Sequence, residues 1–172
     1  MNKRTTYIGI DPGRGGGAAA ITTHEIKVLP FQRVSEARII SWMASVSARP
    51  YCTNRCTIGL EKVQTHQASG RVSAFHFGDS YGFLRGVINT LALTLRDSPT
   101  ILAVLPQKWQ QGLAINPRKV KTGETKAQYK KRLLRCAKDT FPDLTVWKET
   151  MWYQQGVCDA LLIAHYLQVS SN

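Results

Sequence analysis

Three acidic residues lie where a carboxylate is unexpected, at the ends of apolar stretches or inside one. Asp11 ends the stretch YIGID, and Glu61 ends the stretch CTIGLE. Asp159 interrupts the apolar stretch VCDALLIAHYL. An unpaired carboxylate near a protein core costs several kcal/mol, so Asp159 needs a cation or a bound proton. Because the chain of 172 residues has only 11 Asp and Glu residues, these three are candidates for one functional site.

The chemistry that three such acids support is the binding of a hard divalent cation. If the strands that end in Asp11 and Glu61 are parallel neighbours, their carboxyl ends meet at the edge where open α/β folds bind ligands. A helix that lays Asp159 over this edge completes a cluster of like charges, and Mg²⁺ prefers carboxylate oxygens. Each acid also has a simpler interpretation. Asp11 is a common turn residue before Pro-Gly, Glu61 a solvated strand end, and Asp159 a buried acid paired with Lys or Arg.

The charge of the chain indicates a polyanionic partner. It carries 23 Lys and Arg against 11 Asp and Glu, a net charge of +12 with a pI near 9.9. Nine of the cations lie in residues 118–138, where Glu124 is the only acid. This concentration favours nucleic acid over a merely solvated basic surface. The four cysteines lack the spacing of a zinc site.

The pattern of apolar residues predicts an α/β fold in a single domain over residues 1–172, with no repeat or linker. Three short strands within residues 5–31 form an antiparallel meander. The remaining predicted elements are a helix at 35–46, a strand at 56–61, a helix at 72–95, a strand at 100–106, a short helix or turn at 107–113, and helices at 125–142 and 151–169. No stretch approaches the ~18 apolar residues of a membrane helix. With no apolar leader, the expected location is the cytoplasm.

Several stretches, in this order, resemble one known family. The motifs IGIDPG, GLE at the end of the fourth strand, and DALLIA in the last helix are similar to those of RuvC-type Holliday junction resolvases, in the RNase H-like superfamily. The stretches SAFHFGDSYGFLRGVI, VLPQKWQQGL and KAQYKKRLLRCAKDTFP extend the likeness over nearly the whole chain. The resemblance is closer to the phage and plastid-like branch than to the standard bacterial protein.

The resemblance implies an RNase H-like sheet of five strands, three antiparallel and then parallel, flanked by helices. It implies a homodimeric crossover junction endodeoxyribonuclease that cuts four-way DNA, in the host cytoplasm if phage-encoded or in an organelle. Each site would hold Mg²⁺ or Mn²⁺, two ions per site, on Asp11, Glu61 and Asp159, with Lys126 near the scissile phosphate. The expected DNA contacts are Lys108, Arg118, Lys119, Lys121, Lys126, Lys130, Lys131 and Arg135.

One departure from the family concerns the fourth metal ligand, which usually lies three or four residues before the last Asp. Here those positions hold Gly156 and Gln155, neither of them charged. Gln155, one helical turn before Asp159, is the expected weaker ligand, and Glu149 is the other candidate. A missing ligand leaves open a branched-DNA-binding protein with weak or no cleavage, or an inactivated variant.

Two further features of the sequence leave alternatives open. The strand followed by DPGRGGG also resembles the phosphate loop of actin-like kinases and ATPases, but 172 residues leave no room for their second nucleotide lobe. Gly78, Gly82 and Gly86 recur at about one-turn spacing in the predicted helix at 72–95. They suit either a dimer interface or close packing of that helix on the sheet.

Overall fold

A five-stranded mixed sheet forms the centre of the fold. The computed structural model describes residues 5–47, 55–62, 71–95, 97–117 and 123–171. The strands are β1 (Thr5–Asp11), β2 (Gly17–Ile21), β3 (Ile26–Pro30), β4 (Arg55–Glu61) and β5 (Thr100–Val104), in the spatial order β3-β2-β1-β4-β5. β2 pairs antiparallel with β1 and with β3, whereas β4 pairs parallel with β1 and with β5. The predicted α/β sheet, antiparallel first and then parallel, is confirmed.

The helices of the described residues lie close to their predicted positions. They are α1 (Glu36–Ser47), α2 (Arg71–Thr94), α3 (Pro106–Gly112), α4 (Lys126–Thr140) and α5 (Met151–Val169), with a 3-10 turn at Thr145–Lys148 before α5. Ser35 caps α1, since its hydroxyl accepts the N–H of Arg38 at 3.3 Å. β5 ends two residues earlier than predicted because Pro106, which cannot donate to a strand ladder, begins α3. None of the described helices is long and apolar enough to span a membrane.

The two faces of the sheet are covered by different helices. Ile8, Ile10 and Ile58 point to the face where α1 and α2 pack. On the other face β1 and β2 contact α5 directly, because their glycines leave room for its backbone. A Cβ on Gly9 would lie 2.2 Å from the carbonyl oxygen of Ala160. This close approach brings Asp159, the residue before Ala160, to the end of β1.

Gly9→Ala is therefore expected to lower the free energy of unfolding by about 1–3 kcal/mol or more, as overpacking does. The added methyl group would meet backbone atoms of α5, which move only if the helix shifts. Urea unfolding measures the change. Gly15→Ala is the matched control, because a Cβ there meets nothing within 4 Å. Equal stability of the two variants would contradict this packing of α5 on β1.

The glycines of α2 do not pack on the sheet. A Cβ on Gly78, Gly82 or Gly86 would meet nothing within 4 Å, so the alternative of helix-on-sheet packing at these glycines is wrong. The helix packs on the core through other residues, with Leu84 and Ile88 each 1% exposed. Its glycine face instead borders an apolar groove of about 410 Å³ between α1 and α2.

Candidate active site

Asp11 and Glu61 lie side by side at one edge of the sheet. β1 and β4 are parallel, and their register pairs Ile10 with Leu60, so the acid that follows each of these residues ends its strand at the same level. This is the carboxyl edge, at which open α/β sheets bind ligands. The structure therefore brings together two of the three acids in the way that the sequence predicted.

Asp159 reaches the same edge from α5. The helix crosses β1 so closely that a Cβ on Gly9 would meet backbone atoms of Ala160 and Ala164. The charge of Asp11 contributes to a raised pKa at both Asp159 and Glu61, after burial as the main cause, which shows that the three carboxyl groups are electrostatic neighbours. The fold thus brings the three acids to one edge of the sheet, while their binding of a metal ion stays a prediction.

The glycine-rich turn after β1 wraps around the Asp11 carboxyl group. The N–H of Gly13 donates to Oδ1 of Asp11 at 3.0 Å, and the N–H of Gly16 closes the turn by donating to the carbonyl of Gly13. A Cβ on Gly16 would lie 2.7 Å from Cγ of Asp11, closer than real Cβ atoms come. Glycine is needed at this position because the turn passes directly over the carboxylate.

Glu61 is held by a residue that the sequence analysis did not single out for the site. The indole Nε1 of Trp109, on α3, donates to Oε1 of Glu61 at 2.8 Å. Trp109 is 1% exposed. The only hint in the sequence was the stretch VLPQKWQQGL, which contributed to the family resemblance and predicted no contact with Glu61.

The protonation of the three acids reflects their crowding. Burial, reinforced by the charge of Asp11, raises the pKa of Glu61 to about 8, although the Trp109 hydrogen bond acts in the opposite direction. Burial and then the charge of Asp11 raise the pKa of Asp159 to about 7. Burial also raises the pKa of Asp11, against the hydrogen bond from Gly13. The three carboxyl groups are therefore not all ionised at neutral pH unless a cation binds to them.

The donor set suits a hard divalent cation, since it consists of carboxylates and the site favours added positive charge. As the side chains stand, however, no three His, Cys, Asp or Glu residues in the described part of the chain are arranged to hold one metal ion. The chemistry of the residues fits Mg²⁺ or Mn²⁺. Their side-chain geometry would have to tighten for all three to bind a common ion.

Among the described cations, Lys130 is the one whose charge acts on all three acids. Against burial, its positive charge lowers the pKa of Asp11, Glu61 and Asp159 alike. Lys126, predicted from the resemblance to lie near the scissile phosphate, is the exposed first residue of α4, one turn before Lys130. The structure therefore adds Lys130 to the site, whereas the sequence analysis assigned it only to DNA contacts.

The other predicted DNA contacts are exposed on α3 and α4 or lie outside the described residues. Lys108 is exposed beside Trp109 on α3, and Lys131 and Arg135 are exposed on α4. Arg118, Lys119 and Lys121 lie outside the described residues. Arg132 was not among the predicted contacts. It forms an ion pair with Glu124 at 3.0 Å and donates to the carbonyl of Asn116 at 2.9 Å, so it links the described residues before 118 to those after 122.

Gly156, which has no side chain to bind a metal, and the two candidates for a fourth ligand, Gln155 and Glu149, occupy different surroundings. Gly156 is buried under the glycine turn, where a Cβ would lie 3.2 Å from the carbonyl oxygen of Gly16, so a side chain there requires the turn to shift. Gln155 is exposed one turn before Asp159 on α5. Glu149 is exposed just before α5, and its backbone carbonyl accepts a hydrogen bond from Gln154 at 2.6 Å. The fourth ligand stays a prediction.

The crowding of the acids predicts how stability depends on pH without metal. The pKa of Asp159 is 3.8 in the unfolded chain and about 7 in the folded chain. Between these two pH values the folded chain holds a proton that the unfolded chain has released, so the free energy of unfolding falls as the pH rises. Asp159→Asn removes that penalty. Since one pKa unit corresponds to about 1.4 kcal/mol, the variant should be more stable than the parent by about 1–4 kcal/mol at alkaline pH.

Urea unfolding in a chelator, at a series of pH values, measures this difference between the variant and the parent. The exposed Asp139→Asn is the control and should follow the parent. A difference for Asp159→Asn that did not grow with pH would contradict a raised pKa at this carboxyl group.

Two solved structures share this architecture over nearly the whole chain. The structure of T. thermophilus RuvC in complex with a Holliday junction substrate aligns with a TM-score of 0.53 and 13% sequence identity, covering 98% of this chain and 97% of that chain. The fold is that of RuvC. A Thermus thermophilus RuvC structure aligns with a TM-score of 0.51 and 16% identity, covering 97% of this chain and 96% of that chain.

The likeness to RuvC establishes the RNase H-like fold, which the motifs had predicted. No protein-family model matches the chain, and no curated protein matches it in sequence. At sequence identities of 13% and 16%, the likeness establishes the fold but not the reaction. The activity therefore has to be argued from the residues at the carboxyl edge of the sheet.

Proposed function

We propose that the protein is a divalent-metal-dependent endodeoxyribonuclease that cuts four-way DNA junctions. The observation that carries the proposal is the meeting of Asp11, Glu61 and Asp159 at the carboxyl edge of the sheet, next to the basic helix α4. The RuvC fold supports it, and one of the RuvC structures contains a Holliday junction substrate. The expected partner is therefore junction DNA.

In this proposal the acidic and the basic residues of the site have different roles in phosphodiester hydrolysis. Two Mg²⁺ or Mn²⁺ ions on Asp11, Glu61, Asp159 and Gln155 would supply an activated water and stabilise the leaving 3′ oxygen. Glu61 and Asp159, protonated more readily than ordinary acids, would release their protons when the cations bind. Lys126 and Lys130 would neutralise charge that develops on the phosphate.

The second candidate is a branched-DNA-binding protein with weak or no cleavage. The observation that favours it is Gly156, which provides no ligand at one of the two positions where the family carries an acid and is covered by the glycine turn. The two functions differ in what happens after binding. Both require the basic surface, but only the nuclease requires Asp11, Glu61 and Asp159 to remain acids.

Cleavage of a fixed four-way junction, labelled in turn on each strand, tests the proposed function. Mg²⁺ and Mn²⁺ are titrated, and products are mapped on all four strands, with a linear duplex of the same sequence as the control substrate. The nuclease is expected to cut two strands of the junction and to spare the duplex. Metal-independent binding with no product at any metal concentration would instead establish the binding protein.

The exposed cations of α4 are expected to hold backbone phosphates. Replacing three of these cations with Ala should weaken junction binding. The slope of log K against log salt concentration should become less steep by about 0.9 for each phosphate that the variant no longer neutralises. The three are Lys130, Lys131 and Arg135. Matched controls are three exposed cations on other elements, namely Lys27, Arg38 and Arg55. Equal salt slopes for the two triple variants would show that α4 does not face the DNA.

A homodimer is the proposed assembly, since cutting two strands of one junction calls for two sites. The exposed face of α2 supports it, because glycines there leave room for a second chain and Phe75 and Leu93 are 72% and 88% exposed. Sedimentation velocity of the parent and of Leu93→Glu tests it, the variant being expected to shift toward monomer. A monomeric parent at micromolar concentration would contradict the dimer.

The remaining expectations of the sequence analysis stand as parts of the same proposal. They are one nuclease domain over residues 1–172, a closer relation to the phage and plastid-like branch, and a cytoplasmic location, in the host if the protein is phage-encoded, or an organelle. The motifs of the sequence support the single domain and the relation to that branch.

A further inference from the structure

The contact between Trp109 and Glu61 joins two elements that are distant in sequence. The indole of Trp109 belongs to α3, and the carboxylate of Glu61 ends β4, 48 residues earlier. A hydrogen bond from a neutral donor to a carboxylate is stronger than one between two neutral groups. At 2.8 Å this bond has good geometry, so it fixes where Oε1 of Glu61 lies.

The indole is held firmly enough to act as a positioning group. Trp109 is 1% exposed and packs in a cluster with Val104, Leu133 and Leu162, which come from β5, α4 and α5. The helix that carries it is itself seated on α5, because a Cβ on Gly112 would lie only 2.4 Å from the ring of Tyr166. The ring cannot rotate away without disturbing three neighbouring elements.

The chemistry of indole suits a residue that positions a metal-binding carboxylate. Its single N–H donates one hydrogen bond and accepts none, so it engages Oε1 of Glu61 and leaves the remaining lone pairs of the carboxylate for a cation or its water. A lysine or arginine in its place would also orient the carboxylate, but its positive charge would oppose the binding of a cation. Trp109 orients the ligand and leaves its negative charge in place.

We propose that Trp109 is a positioning residue of the site, which anchors Oε1 of Glu61 at the sheet edge, so that Glu61 binds a divalent cation when the other acids close on it. The inference rests on the proposed function and deepens it by naming what orders one of the ligands. Partners that orient metal ligands typically contribute about 10- to 100-fold in metal affinity or activity. The expected effect of removing the indole N–H is therefore of this size.

The sharpest test replaces Trp109 with 3-benzothienylalanine, which keeps the shape of the ring system and exchanges the N–H for sulfur. Trp147 provides the matched control, since its indole N–H donates to the backbone carbonyl of Phe141 at 2.6 Å. The Trp109 replacement should lower Mn²⁺ affinity, measured by calorimetry, and kcat for junction cleavage by about 10- to 100-fold, with KM for the junction unchanged. The Trp147 replacement should change neither, whatever it costs in stability.

A double-mutant cycle with Glu61→Gln shows whether Trp109 acts through Glu61. In that background the removal of the indole N–H should no longer lower Mn²⁺ affinity. The hydrogen bond itself is measured without metal or DNA, as the NMR shift of the Trp109 indole proton, which should move upfield in Glu61→Gln. A purely structural role would lower Mn²⁺ affinity equally in both backgrounds, and that outcome would overturn the inference.

Failure of the inference and failure of the proposed function give different results. If the parent binds Mn²⁺ and cuts junctions, and the benzothienylalanine protein does so equally well, Trp109 does not position the ligand. If the indole proton responds to Glu61→Gln but the parent neither binds Mn²⁺ nor cuts junctions, the hydrogen bond stands and the proposed nuclease is wrong, together with the role of Trp109 in it.

Discussion

Asp11→Asn is expected to abolish junction cleavage while leaving junction binding intact or tighter. The change removes the carboxylate whose charge acts on both Glu61 and Asp159, and it removes a negative charge that repels the DNA phosphates. The fold should persist, because the side chain keeps its size and its oxygen can still accept the N–H of Gly13. Cleavage of the labelled junction and a binding titration on the same preparation measure the two effects.

The exposed Asp143→Asn is the control for Asp11→Asn, since it makes the same chemical change in the turn that follows α4. It should cut at the parental rate. A parental rate of cleavage by Asp11→Asn would refute the metal site, because the acid that ends β1 would then have no part in the reaction. Loss of both cleavage and binding would point to a misfolded variant, which urea unfolding identifies.

Gln155→Asp is expected to raise metal affinity and junction cleavage together. Gln155 lies one turn before Asp159 on α5, so its side chain leaves the helix on nearly the same face, and its amide oxygen is a weaker ligand than a carboxylate. The parent should accordingly need millimolar divalent metal and favour Mn²⁺ over Mg²⁺. Gln155→Asn is the matched control, because Asn and Asp have the same shape and differ in charge.

Glu149→Gln distinguishes the two candidates for the fourth ligand. It should have little effect if Gln155 holds that position. If Glu149→Gln silences the enzyme and Gln155→Asp leaves it unchanged, the ligand is Glu149 and the alignment of the last helix is wrong. If Gln155→Asp restores cleavage from near zero, the chain is an inactivated variant. Junction cleavage by the parent, Gln155→Asp and Glu149→Gln, measured over a range of divalent-metal concentrations, distinguishes these outcomes.

The sequence alone was sufficient for the elements and for the three acids. Strands and helices follow from local apolar periodicity, which is why α5 was predicted at its observed bounds and β5 missed only at its proline end. Asp11 and Glu61 could be paired because both end apolar strands, and parallel neighbours present such ends at one edge. Asp159 was identified because an acid in an apolar helix requires a partner.

Tertiary structure alone decided which other side chains join those acids and which surfaces stay open. Trp109 reaches Glu61, and the charge of Lys130 acts on the acids, because α3 and α4 pack on α5, a relation that no local pattern encodes. The glycines of α2 face away from the sheet because that helix packs on the core through other residues, among them Leu84 and Ile88. The apolar stripe of a helix can be recognised in the sequence. The surroundings of its other residues depend on which neighbouring elements cover that stripe, and this is decided only by the tertiary structure.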